Sequence, residues 1–374
     1  MRILFCRSNP VAPDPRVEKE ARALIDDGHQ VLVLGWDRSG ALPEVESRSD
    51  FQLSRLKIKA EYANGMGNLP QLLKWELGLM RWLIVHCRDY DFIHACDFDT
   101  ILPCLLAKWL FGKKVVYDIF DFYADHLRKT PLWIKRTIRS VDLWAIGQVD
   151  AVILVDESRT RQISGSRPKR CEIIYNSPED VETPVDGDDV FSNSAVLKIA
   201  YVGLLQEERG LFEMLDVLRT HPVWEMAVAG FGGDQEKFLE AARGMSNIRW
   251  FGRVAYGQAL KISAASDVLF ATYDPSIANH FYSSPNKIFE AMMLGKPIIV
   301  ARNTNIDRIV ERYENGLVVE YGKVYELENA LSLLCDPEKR KAAGMNSRRA
   351  YEQEYGWGKM KSRLIDIYRG LAAQ

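Results

Sequence analysis

Cysteine is sparse and unpaired in this chain. Its six residues, Cys6, Cys87, Cys96, Cys104, Cys171 and Cys335, contain no CxxC spacing. That excludes a zinc ribbon. Most of them fall in apolar runs, so they read as reduced, buried thiols of a cytosolic protein. No run approaches the ~20 apolar residues that a membrane span needs. Neither sign of charge dominates: 49 Lys and Arg against 51 Asp and Glu leave a formal net charge of -2. Wholesale nucleic-acid binding is therefore not expected. Repeats and low-complexity segments are missing. No GxGxxG accompanies the first βαβ pattern, which argues against a dinucleotide cofactor there. Met1 leads straight into Arg-Ile-Leu-Phe-Cys, a strand pattern rather than a signal peptide.

What is present is α/β alternation on a scale too large for one core. The chain has 374 residues, 47% hydrophobic and 27% charged, the composition of a soluble globular protein of two domains. Strand patterns fall at 2–6, 30–36, 51–58, 92–95, 114–118, 150–155 and 171–175. Helical spacing falls at 16–27, 69–87, 100–111 and 133–148, with a polar helix before the last strand. The acidic stretch SPEDVETPVDGDDVFSNS has no periodicity and reads as a linker. The alternation then restarts and runs to an amphipathic helix at 359–371. The expected division is a domain over 1–178, a linker over 179–195 and a second domain over 196–356. A final helix, 357–374, packs back on the first domain, with Tyr355 to Trp357 as the crossing point. Alternating elements imply parallel sheets with right-handed crossovers.

One stretch organises the second half, FYSSPNKIFEAMMLGKPIIV at 281–300. Ser283-Ser284-Pro285 has the form of a helix start, with a hydroxyl cap and a first-turn proline. Gly295 is a C-terminal signal, and a short buried strand follows at 298–300. In strand–loop–helix units, ligands sit beyond the carboxyl end of the strand, at the next helix N-terminus, where free N–H groups attract phosphate. Lys287 adds a cation one turn in. Glu290, at i+3, lies on the same face. Cation and N–H groups suit a diphosphate, and a carboxylate suits ribose hydroxyls. A plain α/β helix with solvated Lys and Glu gives the same pattern.

Several further stretches match one family. They are Asp14-Pro15-Arg16-Val17 with Gly28-His29-Gln30-Val31, Ile93-His94-Ala95-Cys96-Asp97, Val115-Val116-Tyr117-Asp118 and Ile173-Ile174-Tyr175-Asn176-Ser177-Pro178. Downstream come Tyr201-Val202-Gly203 with Arg209-Gly210-Leu211, Ala229-Gly230-Phe231-Gly232 and Phe251-Gly252-Arg253-Val254. The last is Ser284-Pro285-Asn286-Lys287 to Glu290-Ala291 with Gly295-Lys296-Pro297. In this order and spacing the chain resembles glycosyltransferase family 4, the retaining, nucleotide-sugar-dependent enzymes of GT-B fold. That fold is two Rossmann-like parallel-sheet domains facing across a cleft.

The resemblance implies roles residue by residue. Arg209 and Lys287 would hold the diphosphate and stabilise it as it leaves, with no cofactor and no metal. Glu290 would bind the ribose, backbone near Arg253 and Val254 the base, and Tyr282, Ser283, Ser284 and Asn286 the phosphate or sugar. Gly203 and Gly230 belong to the donor loops. The acceptor side would involve Asn9, Asp14, Arg16, Asp118 and Asp121, with Asp121 also assigned to catalysis. Three positions depart from the family pattern. Tyr282 replaces the first acid of its E-x7-E pair, Leu204 replaces a basic residue after Gly203, and Phe120 stands where many members carry His. Asp118 or Asp121 would then position the acceptor, or Asp118 caps the loop.

Other features carry weaker signals. Asp97-Phe98-Asp99 spells DxD, but Asp99 reads as an N-cap rather than a metal ligand. His94, in an apolar strand, reads as a buried, satisfied imidazole, and His280 as a solvated loop residue. The stretch LRKTPLWIKRTIRS at 127–140 carries five basic and no acidic side chains. It fits either a core-facing helix with a solvated face or a peripheral contact with an anionic membrane. The expectation is a metal-independent hexosyltransferase moving sugar from a UDP or GDP donor to a glycan or lipid-linked acceptor in cell-surface polysaccharide synthesis. It would be cytoplasmic, or peripheral on the inner face of the plasma membrane. The alternatives are a sugar-nucleotide epimerase or hydrolase of the same fold, and a non-catalytic sugar-nucleotide-binding partner.

Overall fold

The computed structural model describes residues 1–48, 50–61, 65–127, 130–181, 189–192, 196–282 and 284–373. The chain forms two compact units, Met1–Tyr175 with Met360–Gln374, and Asn176–Lys359.

The first unit is built on eight strands: β1 (Arg2–Arg7), β2 (Gln30–Asp37), β3 (Val45–Ser47), β4 (Gln52–Lys57), β5 (Phe92–Cys96), β6 (Lys114–Ile119), β7 (Ala151–Leu154) and β8 (Cys171–Ile173). Their order across the sheet is β3-β4-β2-β1-β5-β6-β7-β8. All neighbours pair in parallel except β3 with β4. The central strands are apolar runs buried throughout, β5 and β7 along their whole length. That is the signature of a parallel sheet covered on both faces. The helices Leu69–Val85, Phe98–Phe111 and Leu132–Gln148 cover one face. Their residues Trp75, Leu79, Ile101, Leu105 and Ile146 pack with Ile93 and Ala95 of β5. Side chains alternate along a strand, so His94 points to the other face. There Tyr368, on the last helix Trp357–Ala372, stacks beside it, and the Tyr368 hydroxyl lies 2.8 Å from His94 Nδ1. The same helix is tied down by Arg363, which donates to the Ile173 carbonyl, and by Lys361 with Asp26.

The second unit has six strands: β9 (Leu197–Leu204), β10 (Trp224–Phe231), β11 (Ile248–Trp250), β12 (Val268–Ala271), β13 (Ile298–Ala301) and β14 (Gly316–Val319). The order β11-β10-β9-β12-β13-β14 is wholly parallel. The order in which strands are added across the sheet reverses between β9 and β12. The carboxyl ends of these two strands are therefore where an open α/β sheet leaves a crevice for a ligand.

Several local expectations are corrected. The polar helix before β8 is a single 3-10 turn, Glu157–Thr160. The helix Ile306–Tyr313 and the edge strand β3 were not anticipated. Of the linker 179–195, residues 182–188 and 193–195 lie outside the described residues. The rest lies on the second unit: Val190 and Phe191 are buried, and Arg348 donates both Nη1 and Nη2 to Asp180. In the basic stretch 127–140, Arg128 and Lys129 lie outside the described residues. No helix among the described residues is long and apolar enough to cross a membrane.

Candidate functional site

The second unit places its candidate side chains at the crevice between β9 and β12. Two glycines clear the ground. Gly203 and Gly230 sit side by side near the carboxyl ends of β9 and β10, both at strongly positive φ (153° and 145°). A Cβ on Gly230 would lie 1.8 Å from the Gly203 carbonyl oxygen, and one on Gly203 would meet Lys287 Cε at 3.0 Å. The glycines thus leave bare backbone against which the Lys287 ammonium rests.

Lys287 stands in the first turn of the helix Asn286–Met293. The expected serine does not hold the N-cap position. The N-cap is Pro285, with no side-chain bond to the first turn. Ser283 lies outside the described residues. The first-turn amides of this helix therefore keep their anion-binding character. The Lys287 ammonium lies 3.4 Å from the Tyr201 ring centroid, and the Arg209 guanidinium lies 4.4 Å from that of Tyr273. These two aromatic faces hold two cations close together at the crevice. Burial, and then the neighbouring Arg209, push the Lys287 ammonium well below the ordinary lysine range, with Glu290 opposing. A cation pair held this way is short of an anion.

Glu290, one turn along the same helix, is buried and accepts a hydrogen bond from the Tyr256 hydroxyl. Asn286 accepts from the Asn176 amide. Arg253 is exposed and stacks 4.6 Å over Phe231, at the end of β10, with Val254 half-buried beside it in sequence. Tyr282 ends the short helix Ala278–Phe281 and packs edge-on against Phe281. His280 is not a solvated loop residue: it is buried, with Nδ1 3.0 Å from the Asp274 carbonyl oxygen. The structure thus brings Gly203, Gly230, Arg209 and Lys287 together, with Glu290 close enough to Lys287 to act on its charge. Tyr201, Tyr273 and Tyr256 complete the arrangement and were not singled out from sequence. The available signal was position, since Tyr201 immediately precedes Val202-Gly203 and Tyr273 closely follows β12.

In the first unit the acceptor-side candidates form a connected network at the carboxyl ends of β1, β5 and β6. Asp14 caps the helix Pro15–Asp26 through the Val17 amide and accepts from Arg7 (2.9 Å) and the Asn9 amide (2.7 Å). Arg16 donates twice to Asp118, from Nε and Nη2 at 3.1 and 3.0 Å, and once to the Ile174 carbonyl. Both members of that pair are buried, at 5% and 0% exposure. Neither a surface arginine nor an acceptor-facing Asp118 survives this placement, and Asp118 does not cap the loop. The loop is instead held by Asp97, whose carboxylate accepts from the Phe120 and Asp121 amides and pairs with Arg7. Burial, countered by Arg7, raises Asp97 to about 6. Asp99 is not a cap either: the helix starts at Phe98, and Asp99 is buried. Phe120 lies under two guanidinium groups, Arg7 at 4.1 Å and Arg16 at 4.9 Å. Asp121 stays partly exposed, 38% at its side chain, and accepts from Arg159 at 2.7 Å.

Behind this loop lie Glu20, His94 and Asp118, whose potential ligand atoms fall within 4.8 Å of one another. Arg16 already occupies the cluster, bonded to Asp118 and 3.1 Å from Glu20. Burial would raise Asp118, but Arg16 and His94 hold it below the ordinary carboxylate range. Burial and Asp118 raise Glu20 to about 8 against the pull of Arg16. Arg16 is thus the cation that this cluster already holds.

Comparison with known proteins agrees with this architecture. Residues 188–350 match the family described as glycosyl transferases group 1, and residues 12–177 match the glycosyl transferase 4-like domain. Glycogen synthase of Mycobacterium tuberculosis is 21% identical over 376 residues, covering 92% of this chain and 88% of that protein. Sucrose-phosphate synthase from Thermosynechococcus elongatus superposes with a TM-score of 0.78 at 17% identity, covering all of both chains. Anabaena HepE in complex with UDP-glucose superposes with a TM-score of 0.71 at 17% identity, again over both whole chains.

Proposed function

We propose that this chain, which belongs to the family 4-like glycosyltransferases of GT-B fold, moves a hexosyl group from a UDP-sugar to a glycan or lipid-linked acceptor with retention of anomeric configuration. The observation that carries the donor side is the pair of cations, Lys287 and Arg209, set against bare glycine backbone at a helix start led by Pro285. A diphosphate there meets two cations and a helix N-terminus. As the sugar–oxygen bond breaks, negative charge builds on the β-phosphate oxygens. Fixed cations stabilise that charge more in the transition state than in the ground state. This role asks for no metal. Glu290 offers a carboxylate for the ribose hydroxyls, with the Tyr256 hydroxyl orienting it. The base would lie by Arg253 and Val254. Uracil as the base is supported by the likeness to HepE, whose structure is in complex with UDP-glucose.

On the acceptor side, Asp121 is the carboxylate we assign to positioning the incoming hydroxyl. Arg159 holds it, and the Asp97-capped loop presents it. Asn9, Asp14, Arg16 and Asp118 act through that loop rather than by touching the acceptor.

Calorimetry with UDP-, GDP- and ADP-sugars tests the donor assignment, with Lys287→Met and Glu290→Ala as controls. UDP-sugar binding weakened about 10- to 150-fold in Lys287→Met is the expected result. Equal binding by wild type and Lys287→Met would remove this site. Product NMR then reads the anomeric configuration. Donor turnover with no acceptor, in the presence of normal binding, would mark a hydrolase or epimerase instead.

A further inference from the structure

The first unit carries a surface that the donor and acceptor chemistry does not use. The three helices over one face of its sheet, Leu69–Val85, Phe98–Phe111 and Leu132–Gln148, lie side by side, each burying one stripe in the common core. Their outer stripes are not polar. Trp133 (70% exposed) and Trp144 (47%) stand about three turns apart on one face of the third helix. Trp109 (53%), from the middle helix, packs 5.9 Å from Trp144. These are the three exposed tryptophans among the described residues. The first helix adds Leu69, Leu73 and Leu77, exposed at i, i+4 and i+8.

Charge on the layer has one sign. Its only carboxylates are Glu76, Asp99 and Asp142. The last two are buried and Glu76 is half-buried, pushed up by burial. Lys74, Arg81 and Arg136 are exposed among the apolar side chains. A solvated helix face would mix acids with bases, and a core-facing helix would not leave its tryptophans this exposed.

We propose that the outer face of this three-helix layer docks on an anionic bilayer. Tryptophan settles at the headgroup level, leucine enters the acyl boundary, and Lys and Arg pair with acidic lipids. No described helix can span a membrane, so the contact is peripheral and reversible. The inference stands on this surface alone and holds whichever donor the second unit takes.

Vesicle flotation of the full chain tests it. Vesicles of phosphatidylcholine alone are compared with vesicles holding about 30 mol% phosphatidylglycerol, at low and high salt. Binding should appear only on the anionic vesicles, fall with salt, and shift tryptophan emission to the blue. Arg136→Gln should lower the partition constant about fivefold. Trp133→Ser combined with Trp144→Ser should lower it at least about tenfold. Val45→Ser, on the edge strand β3, should leave it unchanged. UDP-sugar affinity, unaltered in every variant, reports that each is folded and separates this test from that of the donor site. Should the tryptophan pair prove unfolded, wild-type discrimination between the two vesicles decides alone. Equal binding to both vesicles, or none, overturns the proposal. So does a dimer in sedimentation velocity that the tryptophan changes dissolve, since the face would then belong to a second copy.

Discussion

Removal of the Lys287 ammonium, and separately of its proton, tests the donor site most sharply. In the free protein the ammonium is held below the ordinary lysine range by burial and by Arg209, with Glu290 opposing. A bound diphosphate brings two negative charges to the same place and raises the lysine pKa again. The bound state therefore holds a proton that part of the free population has lost. Binding takes up protons in the window between the depressed and the restored pKa, and affinity falls as pH rises through it, by up to about tenfold per pH unit. Arg209 cannot contribute, because a guanidinium does not deprotonate in this range. A nucleotide sugar has no phosphate proton to lose there either, and ionisation of the uracil N3–H of a UDP-sugar is subtracted by the same series on Lys287→Met. Calorimetry in buffers of different ionisation enthalpy, over a pH series running below the ordinary lysine range, should show uptake approaching one proton per site where the free and bound states differ. Lys287→Met should abolish the uptake and cost about 1.5–3 kcal/mol of affinity, the worth of a charge-assisted contact. That is about 10- to 150-fold in Kd. A wild type with no proton uptake, or a Lys287→Met variant that keeps it, refutes the reasoning.

Four further outcomes follow from the same geometry. Glu290→Ala should weaken UDP-sugar binding by about 1–3 kcal/mol through the lost carboxylate, checked by calorimetry, while Tyr256→Phe, which only loosens that carboxylate, should cost less. Gly203→Ala, at φ 153° and with its new Cβ 3.0 Å from Lys287 Cε, should shift the ammonium and lower kcat/KM about tenfold or more. Tyr368→Phe leaves the buried His94 Nδ1 without its partner and should cost about 1–3 kcal/mol of stability, seen as an earlier denaturant midpoint. Glu20 is raised to about 8 by burial, so the folded chain holds a proton that the unfolded chain releases. Its contribution is complete below the ordinary glutamate range, about pH 4.5, and is lost as pH climbs through about 8. Glu20→Gln should flatten that slope in a pH series of Tm.

The two halves of the chain were unequally legible. In the second unit, the function-bearing features are carried by backbone. A helix start after a strand end has a local sequence mark, which picked out Lys287, while Gly203 and Gly230 were picked out by the family resemblance. In the first unit the decisive features are long-range side-chain pairings, Arg16 with Asp118 and Asp97 with the Phe120 amide, across more than 20 positions of chain. Nothing local to Arg16 distinguishes a buried guanidinium from a surface one. The Asp97-Phe98-Asp99 stretch looks like a metal signature, but its first carboxylate closes a loop and its second is buried. The unforeseen helix Ile306–Tyr313 has only four buried positions, Ile306, Asp307, Ile309 and Val310, too few for its periodicity to stand out in IDRIVERY.

The Phe120 position joins these observations. A histidine there would place a titratable group over Arg7, whose own partners are Asp14 and Asp97. Phenylalanine instead offers an uncharged face to two guanidinium groups at once. The loop bearing Asp121 is then held by cation–π contacts from one side and by the Asp97 carboxylate from the other, with no proton to gain or lose at residue 120. The departure from the family pattern therefore removes one polar group from the loop without loosening it. Asp121, partly exposed and fixed by Arg159, is left as the carboxylate best placed to meet an incoming hydroxyl.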